Sequence, residues 1–186
     1  MLAGTVPYDI RDLKIFRKTG DTYGEAIDVA GIQSLNVSVE GSADDSYGDG
    51  GIYTTIVTDR TASGELTTAG INAAAFAGLS GGSVVSAGTG NTAVTHLNIS
   101  AELNLPFVQI MGLVPVGSAD GGVIQVTLYL ARINSGPDFT FSRDIPSYSF
   151  GYTAQSGPSN TFMTVSHWAD GTKALPTTAM TALPTA

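Results

Sequence analysis

In the stretch Gly121-Gly-Val-Ile-Gln-Val-Thr-Leu-Tyr-Leu-Ala-Arg-Ile133, Ile124, Val126, Leu128 and Leu130 alternate with Gln125, Thr127 and Tyr129. A period of two puts the apolar set on one face of an extended chain, so the stretch reads as a half-buried antiparallel strand. The same period recurs along the sequence. Leu35, Val37 and Val39 alternate with Asn36, Ser38 and Glu40, and Tyr53, Thr55 and Val57 with Thr54, Ile56 and Thr58. Leu97, Ile99, Ala101, Leu103 and Leu105 alternate with His96, Asn98, Ser100, Glu102 and Asn104. Weaker strands fit Asp12–Phe16, Gly64–Thr68, Phe107–Leu113, Tyr148–Ala154 and Phe162–Trp168. Turn-forming clusters separate them at Lys18-Thr-Gly-Asp21, Asp49-Gly-Gly51, Ser118-Ala-Asp-Gly-Gly122 and Ser135-Gly-Pro-Asp138. The expected fold is all-β, an antiparallel sandwich or barrel.

One short helix interrupts the pattern, over about 71–80. Asn72 is placed to cap Ala73–Leu79, and Gly81-Gly82 to end it. Ile71, Ala75 and Leu79 share a face, with Phe76 beside it. A helix this short is not stable alone, so it is expected to lie against a face or end of the sheets.

The last eighteen residues differ in kind. Ala174-Leu-Pro-Thr177 and Ala182-Leu-Pro-Thr185 repeat at a spacing of eight, and Pro176 and Pro184 exclude a regular ladder. The chain therefore divides into a β domain over 1–168 and a Pro/Thr/Ala-rich arm over 169–186. From composition the arm is flexible, and it is expected to be ordered only when a partner holds it.

The 186 residues suffice to bury a core without staples, and the absence of cysteine excludes disulfides, thiolate metal sites and a cysteine nucleophile. Charged residues make up 13%, against about 25% in an ordinary soluble domain. The deficit is filled by 39 Thr and Ser and 23 Gly. Such a surface is either a hydroxyl-rich β surface or one largely covered by other subunits. Arg11, Lys14, Arg17 and Lys18 supply half of the basic residues, whereas Thr19–Ala131 carries eleven acids against Arg60 alone. That stretch has no cluster of cations to neutralise nucleic-acid phosphates. Met1–Ile10 lacks the pattern of a secretory signal, and no run reaches the length of a membrane span. Two glycosylation sequons, Asn36-Val-Ser38 and Asn98-Ile-Ser100, lie inside expected strands and are read as coincidental.

Motifs that could carry chemistry are weak. Gly78-Leu-Ser-Gly-Gly82 has the G-x-S-x-G spacing, but a nucleophile elbow needs a strand before the Ser and a helix after it, and here the order is reversed. If Ser80 and His96 acted together, substituting either would abolish an activity. Asp44, Asp45 and Asp49 crowd the segment Gly41–Gly51, without the EF-hand order or a following bidentate Glu, so this is read as a long acidic hairpin loop. His96 and His167 have no matched carboxylates, and Trp168 is expected to pack at a strand end. No P-loop or dinucleotide fingerprint is present. The expected state is a chain with no active site, no metal and no cofactor.

The order of elements carries a resemblance. Gln33-Ser-Leu-Asn-Val-Ser-Val-Glu40 runs into the acidic segment ending Tyr47-Gly-Asp-Gly-Gly51, followed by Ile52–Asp59 and Ser63–Thr67. Then come the helix Gly70–Leu79, Pro106-Phe-Val-Gln-Ile-Met-Gly112, Gly121–Ile133, Ser135–Phe141 and Tyr148–Ala154. This ordered set, over roughly Asp12 to Ala154, resembles the major tail tube protein of long, flexible, non-contractile (siphovirus-like) phage tails. The Ala-rich helix and the Pro/Thr arm depart from it.

The resemblance implies a β-sandwich or barrel with one flanking helix. It implies six copies in a ring, rings stacked into a tube, and a lumen that conducts DNA from capsid to host cell. The implied partners are the chain itself, a tape-measure protein, and viral DNA held without sequence-specific binding. The implied location is the virion tail, after synthesis in the host bacterial cytoplasm. Asp44, Asp45, Tyr47 and Asp49 are then expected at an inter-ring contact, and Leu175, Met180 and Leu183 in a docking arm. Acidic walls would repel phosphate and keep DNA from sticking. The alternatives are another virion β protein, such as a decoration or tail-completion subunit, and a carbohydrate-binding β-sandwich module. Ring stacking in micrographs separates the first alternative from a tube, and a glycan array tests the second.

Overall fold

The computed structural model describes residues 10–48, 51–69, 72–99, 105–117, 121–135 and 147–184, with backbone alone at 42–48 and 51–59. Among them the chain is all-β with one short helix. Two hairpins come first: β1 (Asp12–Thr19) with β2 (Thr22–Asp28), and β3 (Ile32–Gly48) with β4 (Gly51–Ala69). Helix α1 (Ala73–Ser80) and a small hairpin of β5 (Ser83–Ala87) and β6 (Val94–Asn98) lead to the C-terminal half. That half supplies β7 (Phe107–Pro115), β8 (Val123–Ile133), β9 (Ser147–Gln155) and β10 (Met163–Trp168).

All pairings are antiparallel, and the main sheet runs β2-β1-β7-β8-β9-β4-β3. The two N-terminal hairpins thus form its opposite edges, and β7–β8–β9 fills the space between them. Strand β10 pairs with β8, and β5–β6 forms a separate two-stranded sheet.

Strand β8 is the hub, and its alternation breaks once. Val108 pairs with Ala131 but Ile110 with Leu128, so Tyr129 and Leu130 together face Gln109. This β-bulge inverts the phase: Leu128, Ala131 and Ile133 all enter the main core, and Leu130, expected on the same face as Leu128, is only half-buried. The bulge also marks a change of partner. Before it, Val123–Leu128 pairs with β10; after it, Leu130–Ile133 pairs with β9. Bulges bend strands and let them pass between sheets, which is how a sandwich corner forms. The sheet accordingly curls on itself, bringing Leu35 of β3 over Gly112 of β7.

The main core joins Leu13 and Ile15 of β1, Leu66 of β4, Ile110 of β7, Leu128 of β8 and Tyr148, Phe150 and Tyr152 of β9. Helix α1 closes one end of it. Asn72 Oδ1 accepts from the backbone of Ala74 (3.1 Å) and Ala75 (3.2 Å), and Gly81 ends the helix at φ 73°, a left-handed conformation that glycine adopts without penalty. Phe76 meets Tyr148 and Phe150 edge-to-face, with centroids 5.0 and 5.2 Å apart. At Gly64 a Cβ would collide with the Asn36 carbonyl and the Tyr152 hydroxyl, and there Tyr152 donates to Asn36 O across β4 (2.6 Å).

Several sequence expectations are corrected. The acidic hairpin loop is strand: β3 and β4 pair without a third partner up to Gly48↔Gly51, so Asp44, Asp45 and Tyr47 lie on a two-stranded arm. The segments Ile52–Asp59 and Ser63–Thr67 are one continuous strand. Strands β2 and β5 were not anticipated, because Tyr23-Gly-Glu25 and Ser83–Ala87 lack a long alternating run. Asp49, Ile71, the part of the alternating run from Ser100 to Asn104, the turn residues Ser118–Asp120, Gly136–Phe141 and Met1–Asp9 lie outside the described residues. No helix among the described residues is long and apolar enough to cross a membrane.

Candidate functional site: a strap groove beside two open edges

The C-terminal arm, expected to need a partner, lies on its own chain. The outer face of β1, β7 and β8 presents Phe16, Met111, Leu113 and Val123, and Leu175 of the arm completes this second core at 3% exposure. Strand β7 is therefore covered on both faces, which is why Phe107–Pro115 reads as a nearly unbroken apolar run. Burying Leu175 is worth roughly 1.5–3 kcal/mol, more than any one neutral hydrogen bond at about 1 kcal/mol. Pro176 keeps the preceding Leu175 out of helical geometry and so favours an extended strap.

Polar side chains hold the strap by its backbone. Arg11 donates from Nη1 to Gly171 O (3.3 Å) and from Nη2 to Lys173 O (3.1 Å). Lys14 Nζ donates to Leu175 O (3.4 Å), and its contact with the exposed Asp28 carboxylate at 3.9 Å adds little. Gln109, with no exposed surface, donates from Nε2 to Met180 O and accepts at Oε1 from Met180 N, both at 2.7 Å. The Met180 sulfur accepts from Gln125 Nε2 at 3.4 Å. At the exit from β10, Asp170 Oδ1 accepts from Thr172 N (2.8 Å) and Thr172 Oγ1 (2.6 Å), which holds its carboxyl below the ordinary 3.8. Beside the groove, Tyr23 donates to Tyr129 O (2.8 Å), and burial pushes the Tyr23 phenol above its ordinary 10. Burial raises Tyr152 likewise.

Of the expected contact residues, Leu175 and Met180 come together in this groove, and Leu183 is half-buried further along. Asp44, Asp45 and Tyr47 lie on the β3–β4 arm, and Asp49 is outside the described residues. Gln109, Gln125, Arg11 and Lys14 were not singled out from sequence. The available signal was the lone amide inside Pro106-Phe-Val-Gln-Ile-Met-Gly112, because a polar group in a buried run needs a partner.

The sites weighed for catalysis or metal binding separate in space. Ser80 is buried at the helix end, and its Oγ donates to Phe76 O (2.6 Å). His96 lies on β6 in the small sheet, His167 on β10 in the main sheet, and both are exposed. Among the described residues no three His, Asp or Glu side chains gather as a metal site. The Trp168 ring ends β10, and the Lys173 ammonium sits 4.2 Å from its centroid.

The two ends of the main sheet's strand order stay open: among the described residues β2 and β3 each pair on one side only, β3 over 17 residues, and β10, off that order, also has a single partner. At about 3.3 Å per residue β3 is about 55 Å long. Compared with known proteins, the chain matches no protein family, and no curated protein is similar to it.

Proposed function

We propose that the chain is a structural subunit that assembles with copies of itself into stacked rings, the wall of a tail tube conducting viral DNA. The observation that carries this reading is the pair of open edges. In a monomer, edges of this length invite uncontrolled pairing, and a closed ring removes them by joining one copy's edge to the next.

The low charge supports the same reading, since a wall buried on several sides has few charges to desolvate. The two-stranded β3–β4 arm also supports it. A two-stranded ribbon is marginal by itself, so this arm is suited to rest on a neighbour. The sequence from Glu40 to Arg60 has five acids against one base, whereas the end of β1 carries Arg17 and Lys18, apart from the Arg11 and Lys14 that hold the strap. Contact of the arm with the basic strand of a copy in the next ring would pair these charges, with Asp44, Asp45, Tyr47 and Asp49 at the contact. The acidic surface left over would line a passage that does not retain DNA.

A test uses Val39, which is 54% exposed on the edge strand β3. Val39→Lys places a charge on the edge without touching a core. The expected result is a folded chain, by circular dichroism, that no longer forms assemblies in sedimentation velocity. Assemblies unchanged in size and amount would count against edge pairing.

A further inference from the structure

We infer that an apolar groove along the free edge of β3 is the docking site of the chain's own N-terminal segment, Met1–Asp9. The groove measures about 400 Å³. Leu35 and Val37 of β3 form one wall, and the floor crosses the facing strands through Val114 of β7, Val126 of β8 and Val165 of β10. No charged side chain lines it among the described residues, and Asn36 is the one polar residue there. The floor is incompletely covered. Val126 is half-buried although every other residue of Val123–Tyr129 is buried, and Val165 is 41% exposed. An apolar floor beside an unpaired strand edge is suited to one further extended segment, held by main-chain bonds and by every second side chain.

The place where Met1–Asp9 joins the described residues selects it as the occupant. Ile10 itself lines the groove, and Arg11 N donates to Leu113 O (2.8 Å), so the chain enters at a fixed point on the β1 side. From β1 across β7 and β8 to β10 is three strand spacings, about 14 Å, which four or five extended residues cover. The sequence has the matching period. Leu2, Gly4, Val6 and Tyr8 share the phase of Ile10, whereas the other phase, Met1, Ala3, Thr5, Pro7 and Asp9, holds the segment's one charged side chain. Pro7 lacks an N–H, which an edge strand with one free side tolerates. The groove reaches only Leu35–Val37 of β3, so the edge from Ser38 onward stays available to a neighbouring copy. A tethered segment also has an effective concentration in the millimolar range, which favours its own groove.

Two variants of the segment separate docking from a general effect of charge. Val6→Asp puts a carboxylate on the phase that faces the groove, and Thr5→Asp puts the same carboxylate on the opposite phase. The measurement is amide hydrogen exchange, by NMR on the full-length monomer fraction, at the β3 amides from Gln33 to Ser38 that point away from β4. Val6→Asp is expected to speed their exchange at least roughly tenfold over the unmodified chain, and Thr5→Asp to leave it unchanged. The protection in the unmodified chain is expected to be the same after tenfold dilution, because the segment and its groove belong to one molecule.

Equal exchange in all three chains would overturn the docking. Equal acceleration by both variants would overturn the one-faced geometry on which it rests. Protection that falls on dilution would mean that a second copy fills the groove, and would overturn docking within the chain. None of these outcomes requires assembly, so docking stands or falls independently of the tube reading.

Discussion

Gln109 is fully enclosed in an otherwise apolar strand, and both halves of its amide are satisfied by the backbone of Met180. Removing it would leave the Met180 N–H and C=O without these partners. Gln109→Leu keeps the volume and is expected to destabilise the chain by about 1–3 kcal/mol in urea denaturation, with faster hydrogen exchange at the Met180 amide. Unchanged stability and exchange would mean that the amide does not hold the strap. Residue type alone told that Gln109 interrupts an apolar run. It could not tell the partner, which lies 71 residues away and is addressed through backbone atoms that any residue possesses. The same limit applied to Arg11 and Lys14, whose charges read as part of a basic cluster although they grip carbonyls.

Elements with a local cause were readable in advance. The helix is set by Asn72 and Gly81, both local signals, and it runs Ala73–Ser80 as the spacing implies. Asn72→Ala is expected to cost about 1 kcal/mol in thermal denaturation, because two backbone donors lose their acceptor. A change of less than a few tenths would show that tertiary contacts alone hold the helix. Elements set by distant partners were not readable. Gly41–Gly48 looked like loop because Gly, Ser and Asp dominate it, yet pairing with β4 carries it as strand. The bulge at Tyr129–Leu130 left no mark in the alternation, because Leu130 fits either phase. Of the repeated Ala-Leu-Pro-Thr motif, the first copy seats Leu175 in the second core and the second leaves Leu183 half-buried; nothing in the repeat itself distinguishes them.

At the scale of the whole molecule, the arrangement of strands concentrates the unfinished surfaces at the edges. Hairpins β1–β2 and β3–β4 flank a sheet completed by the C-terminal half, so both ends of its strand order come from the first 69 residues. The all-β class followed from periodicity, while the strand order did not, since β1 finds β7 across almost a hundred residues. The open edges, the paucity of charge and the acidic two-stranded arm agree in favouring a subunit that is finished by its neighbours. Electron microscopy of the purified chain tests this most directly. The account predicts hollow tubes of stacked rings of uniform diameter. Particles that remain single 19.1 kDa monomers at every concentration, or pack into sheets without a lumen, would contradict it.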